Sequence, residues 1–312
     1  MRTSAAVIAC LAGYASAHGT VTKITGANGV EMPGLSVADG TPRDCSSNGC
    51  GSQADTAIIR DRDIQSGGSP LGKTQGGGPV DAATMINVFM GMTDPTTLKT
   101  NSAASGVGQE DDLSAAPKGV ADGATGAGKK AARQNLLSGL LGGLGGGAGG
   151  AGGATAQGTK NTLPPETMVK TTAGAGSSSG LPTANADGTV DLTFRQINQD
   201  GAGPLEAMVD GTSGGTDMAA FQEAQVTQDV PGIVAGISAA STTDFPVKVQ
   251  MPAGMTCDAT VGAATNVCVV RVRNNTPAGP FGGSAAFTQT TAARKRALEY
   301  RMKMRKARAF TA

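Results

Sequence analysis

Few residues of this chain have side chains suited to chemistry, and His18 is the only histidine among its 312 residues. With the chain cut just before it, His18 would offer an amine and an imidazole nitrogen together, a chelate that suits copper. No second imidazole exists to complete a nitrogen-rich site, and Lys or Arg is protonated near neutral pH. Asp200 is the carboxylate placed to finish a weaker site. The plainer reading has His18 merely start the first strand, with no cofactor. A serine or cysteine nucleophile would have to share the same histidine. Asp200, Glu206 and Asp210 lie close in sequence, and paired carboxylates hydrolyse glycosidic bonds. Beside so many glycines they read instead as turn and surface acids, so no catalytic residue is assigned. Sugar sites usually stack aromatic rings on their ligand, and a chain with no Trp and two Tyr gives such a platform little material. Asn274-Asn275-Thr276 is an N-glycosylation sequon with Pro277 directly after it. Gly67 to Thr74 (GGSPLGKT) fits the spacing of a phosphate-cradling loop. That loop needs a buried strand before it and a helix after it. Asp61 to Ser66 is polar and Gln75 to Pro79 cannot carry a helix, so the match reads as chance.

The first residues predict an export signal. Arg2 is a positive n-region, Ala5 to Ala12 an apolar stretch, and Ala15-Ser16-Ala17 a small-x-small cleavage site. The apolar run is shorter than the roughly 20 residues a bilayer span needs. Residues 1–17 are therefore read as a signal peptide, and His18 as the first mature residue. No later stretch reads as a transmembrane helix. Cys10 leaves with the signal. Cys45, Cys50, Cys257 and Cys268 remain, an even number for an oxidising compartment, where two disulfides are the default. Three pairings are open. Cys45–Cys50 and Cys257–Cys268 are favoured because each pair is close in sequence, and a zinc site is disfavoured by the single histidine and the lack of CxxC.

The elements that must position these residues form two blocks. Residues 18–100 open with a strand over Gly19–Thr25, turned at Asn28-Gly29. Ala82 to Met92 reads as either a helix turn or a buried strand, since so short a run has no decisive period. Residues 101–186 are rich in Gly, Ala, Ser and Thr. Glycine numbers 48 in the whole chain and charged residues only 16%, so part of the chain has too little apolar surface to offset its ordering entropy. This segment is read as a disordered insertion, with Gln134 to Leu144 at most a transient helix. Order returns over residues 187–290. Thr189–Phe194, Ala207–Val209, Asp244–Met251 and Val267–Val272 are short β-type runs parted by Pro and Gly turns. That pattern predicts an antiparallel β-sandwich, immunoglobulin-like or monooxygenase-like, made of both blocks. Residues 291–312 form a basic tail. Eight Lys or Arg fall between 294 and 308 against the single acid Glu299. The tail can be helical and partly amphipathic, and its plainer reading is a solvated mobile end. The net charge of +1 predicts no global attraction to nucleic acid.

Three spaced motif blocks resemble the Egh-like fungal virulence-factor family, secreted cell-surface proteins of appressoria and haustoria. The first is His18-Gly19. The second is Thr41 to Asp61 (TPRDCSSNGCGSQADTAIIRD) with Pro70 to Ala82 (PLGKTQGGGPVDA) behind it. The third starts at Arg195 to Asp210 (RQINQDGAGPLEAMVD) and continues through Asp244–Cys257, Asn266–Asn274 and Ala278–Gly283. The resemblance implies secretion to the extracellular space or cell wall, expression around host penetration and association with a fungal surface. It implies no settled reaction. Arg195 stands where family members often carry His, Cys45 and Cys50 resemble a subset of members, and the insertion and basic tail depart from the core pattern. The expected function is interaction with host surface or cell-wall polysaccharide during infection, with anionic-surface contact through the tail. The alternative is a copper-binding protein similar to lytic polysaccharide monooxygenases, whose histidine brace His18 would half supply.

Overall fold

The computed structural model describes residues 18–39, 55–74, 77–98, 154–155, 159–160, 167–199, 201–233, 236–238, 240, 243–277 and 279–310. In chain order the first block contains β1 (Gly19–Thr25), β2 (Glu31–Pro33), β3 (Ala57–Ile58), α1 (Asp61–Gln65), β4 (Lys73–Thr74), β5 (Gly78–Pro79) and α2 (Ala82–Phe89), then a 3-10 turn at Pro95–Thr97. Two-residue strands β6 (Ala154–Thr155) and β7 (Thr159–Lys160) and short helices α3 (Met168–Thr172) and α4 (Gly176–Ser179) follow. The second block is all β: β8 (Thr189–Gln196), β9 (Glu206–Asp210), β10 (Phe221–Asp229), β11 (Thr243–Gln250), β12 (Ala259–Val261), β13 (Ala264–Arg273) and β14 (Phe281–Thr288). Helix α5 (Thr291–Phe310) closes the chain.

The strands run in the order β2-β1-β8-β11-β10-β9-β13-β14-β3-β4-β5. Every neighbour on that path is antiparallel; among the described residues β6 runs parallel to β10, and an isolated parallel bridge joins Thr183 and Thr288. The path curls over on itself at β10. Its first half, Phe221–Ala224, pairs with β9, while Gln225–Gln228 pair with β11. Two sheets result, and β1 of one lies face to face with β14 of the other. They approach so closely that a Cβ on Gly283 would sit 2.6 Å from the Val21 nitrogen. The antiparallel sandwich expected from the sequence is thus the observed architecture.

Alternation decides which side chains fill it. Val190, Leu192 and Phe194 of β8 and Phe245, Val247 and Val249 of β11 are buried, with Asp191, Thr193, Pro246 and Lys248 on the other face between them. Each such side chain contributes on the order of 1.5–3 kcal/mol. Strand β13 does not alternate, since Val267 to Val272 is buried on both faces. Helix α2 supplies the second cover, contacting β12, β13 and β14. The Ala82–Met92 ambiguity resolves as a helix. Asp81 caps it by accepting from the Ala83 N–H at 3.1 Å, Ala82, Met85, Ile86 and Phe89 bury one stripe, and Gly91 at φ 75° ends it.

Folded structure begins earlier than the boundary at 187. Val169, Leu181 and Ala184 are core residues, and a Cβ on Gly176 would strike the Phe89 ring at 2.6 Å. Residues 167–186 therefore belong to the sandwich, not to an insertion. The C-terminal tail is a helix beginning at Thr291.

Candidate functional site

The three motif blocks meet at one end of the sandwich. His18 opens β1, and its carbonyl accepts from the Ile197 N–H at 3.0 Å and the Asn198 N–H at 3.4 Å. Two glycines let the first and third blocks come together. A Cβ on Gly201 would lie 2.0 Å from the His18 carbonyl, and one on Gly19 would lie 2.5 Å from the Phe194 ring. The His18 ring stacks on Phe281 with centroids 4.8 Å apart. Phe281 is held by Asn274, whose Oδ1 accepts from the Phe281 N–H at 3.0 Å and from the Thr276 hydroxyl at 3.2 Å. The second block joins through Ile59, whose N–H donates to the Pro280 carbonyl at 2.9 Å, and through Arg60, whose Nε donates to the Gly279 carbonyl at 3.1 Å.

Several polar side chains buried around this junction have specific partners, although Asn274 Nδ2, Thr56 Oγ1 and Ser284 Oγ are buried with none among the described residues. Arg195 and Asp244 face each other across β8 and β11 and form a two-pronged ion pair, Nε to Oδ1 at 2.7 Å and Nη2 to Oδ2 at 3.0 Å. A guanidinium fits a carboxylate bidentately, so arginine at this position locks two strands together. The Gln196 amide donates to the Ala240 carbonyl at 2.8 Å and the Asn198 carbonyl at 3.0 Å, and Ser238 donates to its Oε1 at 3.1 Å. Thr20 donates to the Asp55 carbonyl, while Asp55 Oδ1 accepts from the Ala38 N–H at 3.2 Å. Past Ala38 lies an open cleft of about 440 Å³, walled by Leu35–Ala38, the β4–β5 hairpin and the start of α2.

The acids considered for glycoside chemistry are separated in role. Glu206 is exposed and pairs with Arg273 at 3.1 Å, which also grips Asp61 at 2.5 Å. The hydrogen bond from Arg273 holds the Asp61 carboxyl below its usual range, against a smaller opposing push from burial. Asp210 is fully buried and organises the turn after β9, accepting from the Thr212, Ser213 and Gly215 N–H groups and the Ser213 hydroxyl. Burial pushes its carboxyl up, but those hydrogen bonds together outweigh it and leave it below the usual range. Asp229 goes the other way: burial dominates and raises it, although Leu205 and Val230 N–H groups donate to it. Both Glu206 and Asp210 are used structurally, as turn and surface acids.

Of the remaining sequence-derived sites, Cys257–Cys268 is a disulfide, with Cα atoms 4.8 Å apart, tying the entry of β12 to β13. Cys45, Cys50, Asp200, residues 1–17 and Gln134–Leu144 lie outside the described residues. Asn274 is fully buried and its side chain serves the 274–281 turn, which leaves a glycan no room without opening that turn. Gly67–Thr74 runs from helix α1 into strand β4, the reverse of a phosphate loop. Among the described residues no three His, Cys, Asp or Glu side chains are grouped to hold a metal. His18 is fully buried with its ring against Phe281. The chain holds a single imidazole, so the residues around His18 do not complete a two-histidine brace for copper.

Sequence reasoning missed Arg271. It is 1% exposed, with its charge against the Pro70 carbonyl at 2.5 Å, the Met208 and Met218 sulfurs and the Phe221 ring at 5.2 Å. Burial, then the neighbouring Arg273 charge, pushes its guanidinium down to about 10. The one signal was a pair of arginines two apart in an otherwise apolar strand.

A junction built largely from these motif blocks is what a shared family core should look like, and comparison with known proteins agrees. Residues 16–282 match the family described as Egh16-like virulence factor. The chain belongs to that family. It is 50% identical over 307 residues to the appressoria-specific virulence factor GAS2 of Pyricularia oryzae, covering 97% of this chain and 94% of that protein. A second relative, the appressoria-specific virulence factor GAS1 of the same fungus, is 38% identical over 124 residues, 38% of this chain and 48% of GAS1. No solved structure matches. Membership makes this a fungal virulence-associated protein, and in its structure His18-Gly19, the 195–210 stretch and Gly282-Gly283 form one packing unit. No described helix is long and apolar enough to cross a membrane.

Proposed function

We propose that this Egh16-like protein is exported and acts at a surface, contacting host surface or cell-wall polysaccharide during infection without catalytic turnover. The observation that carries the reading is the 50% identity to an appressoria-specific virulence factor along nearly the whole chain. The Cys257–Cys268 disulfide supports it, since such bonds persist in oxidising compartments, and so does the export signal read at residues 1–17. The open cleft beside the family junction, edged by Asp81 and Thr84, presents a carboxylate and a hydroxyl suited to a polyol ligand.

Two measurements test it. The protein recovered from infection-stage cultures should be extracellular or wall-bound, begin at His18 and carry oxidised thiols. It should also co-sediment with insoluble wall polysaccharide. A cytosolic protein with Met1 and reduced cysteines would overturn export. Titrating Cu(II) into the form that begins at His18, and into one with an extra preceding residue, separates the copper alternative. Indifference to the extension is expected, whereas tight binding lost on extension would replace the surface reading with the copper one.

A further inference from the structure

Helix α5 is built in two halves with different surroundings. Its root is docked. The Thr290 hydroxyl accepts from the Ala293 N–H at 3.1 Å, capping the helix. Arg294 donates to the Cys257 carbonyl at 2.6 Å and pairs with Asp258 at 2.5 Å, which ties the root to the disulfide-stapled segment. Ala293 is buried, and Tyr300 passes so near Gly254 that a Cβ there would lie 2.9 Å from its ring. From Arg301 to Ala309 every residue is exposed. Past Arg301, whose side chain still passes Gly254, the helix overhangs the sandwich by on the order of 12 Å, at 1.5 Å rise per residue.

Charge and apolar surface are concentrated on the same helix. It holds eight Lys or Arg and one acid, so it is net +7 in a chain whose total is +1, and the remainder is net −6. Among the described residues the exposed large apolar side chains are Met92, Ile233, Leu298, Tyr300, Met302 and Met304; four of these six stand on α5. Leu298 and Met302 lie one turn apart, on the face opposite the docked Ala293, Ala297 and Tyr300, and Lys295, Arg305 and Lys306 flank them. The overhang has little reason to be helical alone. Unsupported helices this short are marginal in water, and Arg301–Arg305 and Arg305–Arg308 place like charges at helical neighbours. A partner that supplies negative charge and takes up apolar side chains removes both problems. A soluble polyanion answers only the first; an anionic bilayer surface answers both.

We propose that α5 docks on an anionic phospholipid surface through the exposed face of its outer part, lying in the headgroup plane with Leu298 and Met302 inserted and the surrounding Lys and Arg on lipid phosphates and carboxylates. This stands apart from the polysaccharide contact proposed above, which is assigned to the sandwich. Protein that binds wall polymer but not vesicles overturns this inference alone. The test is sedimentation of the purified chain with vesicles of phosphatidylcholine, with or without about one third phosphatidylserine, at low and at about 0.5 M salt. Expected are at least roughly tenfold tighter binding to the anionic vesicles, weakening in high salt, and loss on deleting residues 301–312. The double variant Leu298→Ser/Met302→Ser should bind the anionic vesicles several-fold more weakly while binding dextran sulfate as the parent does. Lys303→Gln/Arg305→Gln/Lys306→Gln, at exposed positions, gives a second arm that does not depend on the truncation folding. Equal binding to both vesicle types, unaltered binding by the serine variant, or a preference for dextran sulfate over vesicles would each overturn the proposal.

Discussion

Asp210 accepts four hydrogen bonds within its own turn, whereas Asp229 accepts backbone N–H groups in a place where burial dominates. The two should respond oppositely to acid. The Asp210 carboxyl is lower in the folded protein than in the unfolded chain, so its stabilisation is present above the usual carboxylate range and is lost as pH falls through the folded value. Asp229 is raised, so its ionisation costs stability as pH rises through its folded value. Asp210→Asn should cost about 2–3 kcal/mol at neutral pH, because a buried charge-assisted network is broken. Asp229→Asn should melt at or above the parent at pH 7, since one amide oxygen still accepts from Leu205 and Val230. Thermal melts from pH 3 to 7 check both, and an Asp229→Asn protein less stable than Asp210→Asn would contradict the assignment. Arg271 makes a related case. Among the described residues no carboxylate lies within ion-pair reach of it, so Arg271→Met should be neutral or stabilising by chemical denaturation, as apolar replacement of a poorly compensated buried charge often is. Arg271 was not legible in the sequence. Its partners Pro70, Met208 and Met218 come from 201, 63 and 53 residues away, and no local period reports them.

Among the elements, the disulfide and the root of α5 are coupled, since Arg294 grips the Cys257 carbonyl. The bond closes a short loop, with its cysteines 11 apart in sequence. Its loss should remove roughly 3 kcal/mol, or about 6–12 °C of Tm in a domain of this size. Calorimetry of Cys257→Ala/Cys268→Ala checks the number, and circular dichroism should show helix signal lost before the sheet melts. A cooperative melt with helix and sheet lost together would disprove the local coupling. How well each element could be read follows its physics. Strand β1 was readable over Gly19–Thr25, and β8, β11 and β13 each held a recognisable run of β-branched and apolar residues, whereas β10 and β14, equally long, were not read, because FQEAQVTQD is mostly polar and FGGSAAFT mostly small. Strands β3, β4 and β5 have two residues each and no period to show. Helix α2 was ambiguous because its cap at Asp81 and its place over β13 decide it, not its run of apolar residues. Helices α3 and α4 were hidden in Gly- and Ser-rich composition, with Val169 the only large apolar residue committing them to the core.

At the scale of the whole molecule, the motif blocks were legible but their convergence was not, because His18 meets Phe281 only after the sheet has curled over at β10. The same closure makes a prediction about the Gly- and Ala-rich stretch between residues 99 and 166. Helix α3 packs against the turn at Pro95–Thr97, and the Val169 and Lys170 N–H groups donate to Asp39 at 3.0 and 2.7 Å. The chain therefore leaves the body after Leu98 and, having touched the sheet through β6 and β7, comes back at α3 to nearly the place it left, a closed loop of chain. Strands β6 and β7 at the far end of that loop pair with β10 and β11, so residues from 151 onward should be kept. Closing a flexible loop costs more as it lengthens, but only by about 0.6 kcal/mol per doubling. Deleting residues 111–140, which leaves about 25 residues between Leu98 and β6, should then leave the sandwich folded, with stability unchanged or raised by up to about 1 kcal/mol. Urea unfolding of the deletion variant, with the m-value unchanged, is the expected result. A destabilisation of more than about 2 kcal/mol would mean that the deleted residues bury apolar surface against the body, because loop entropy alone acts in the opposite direction.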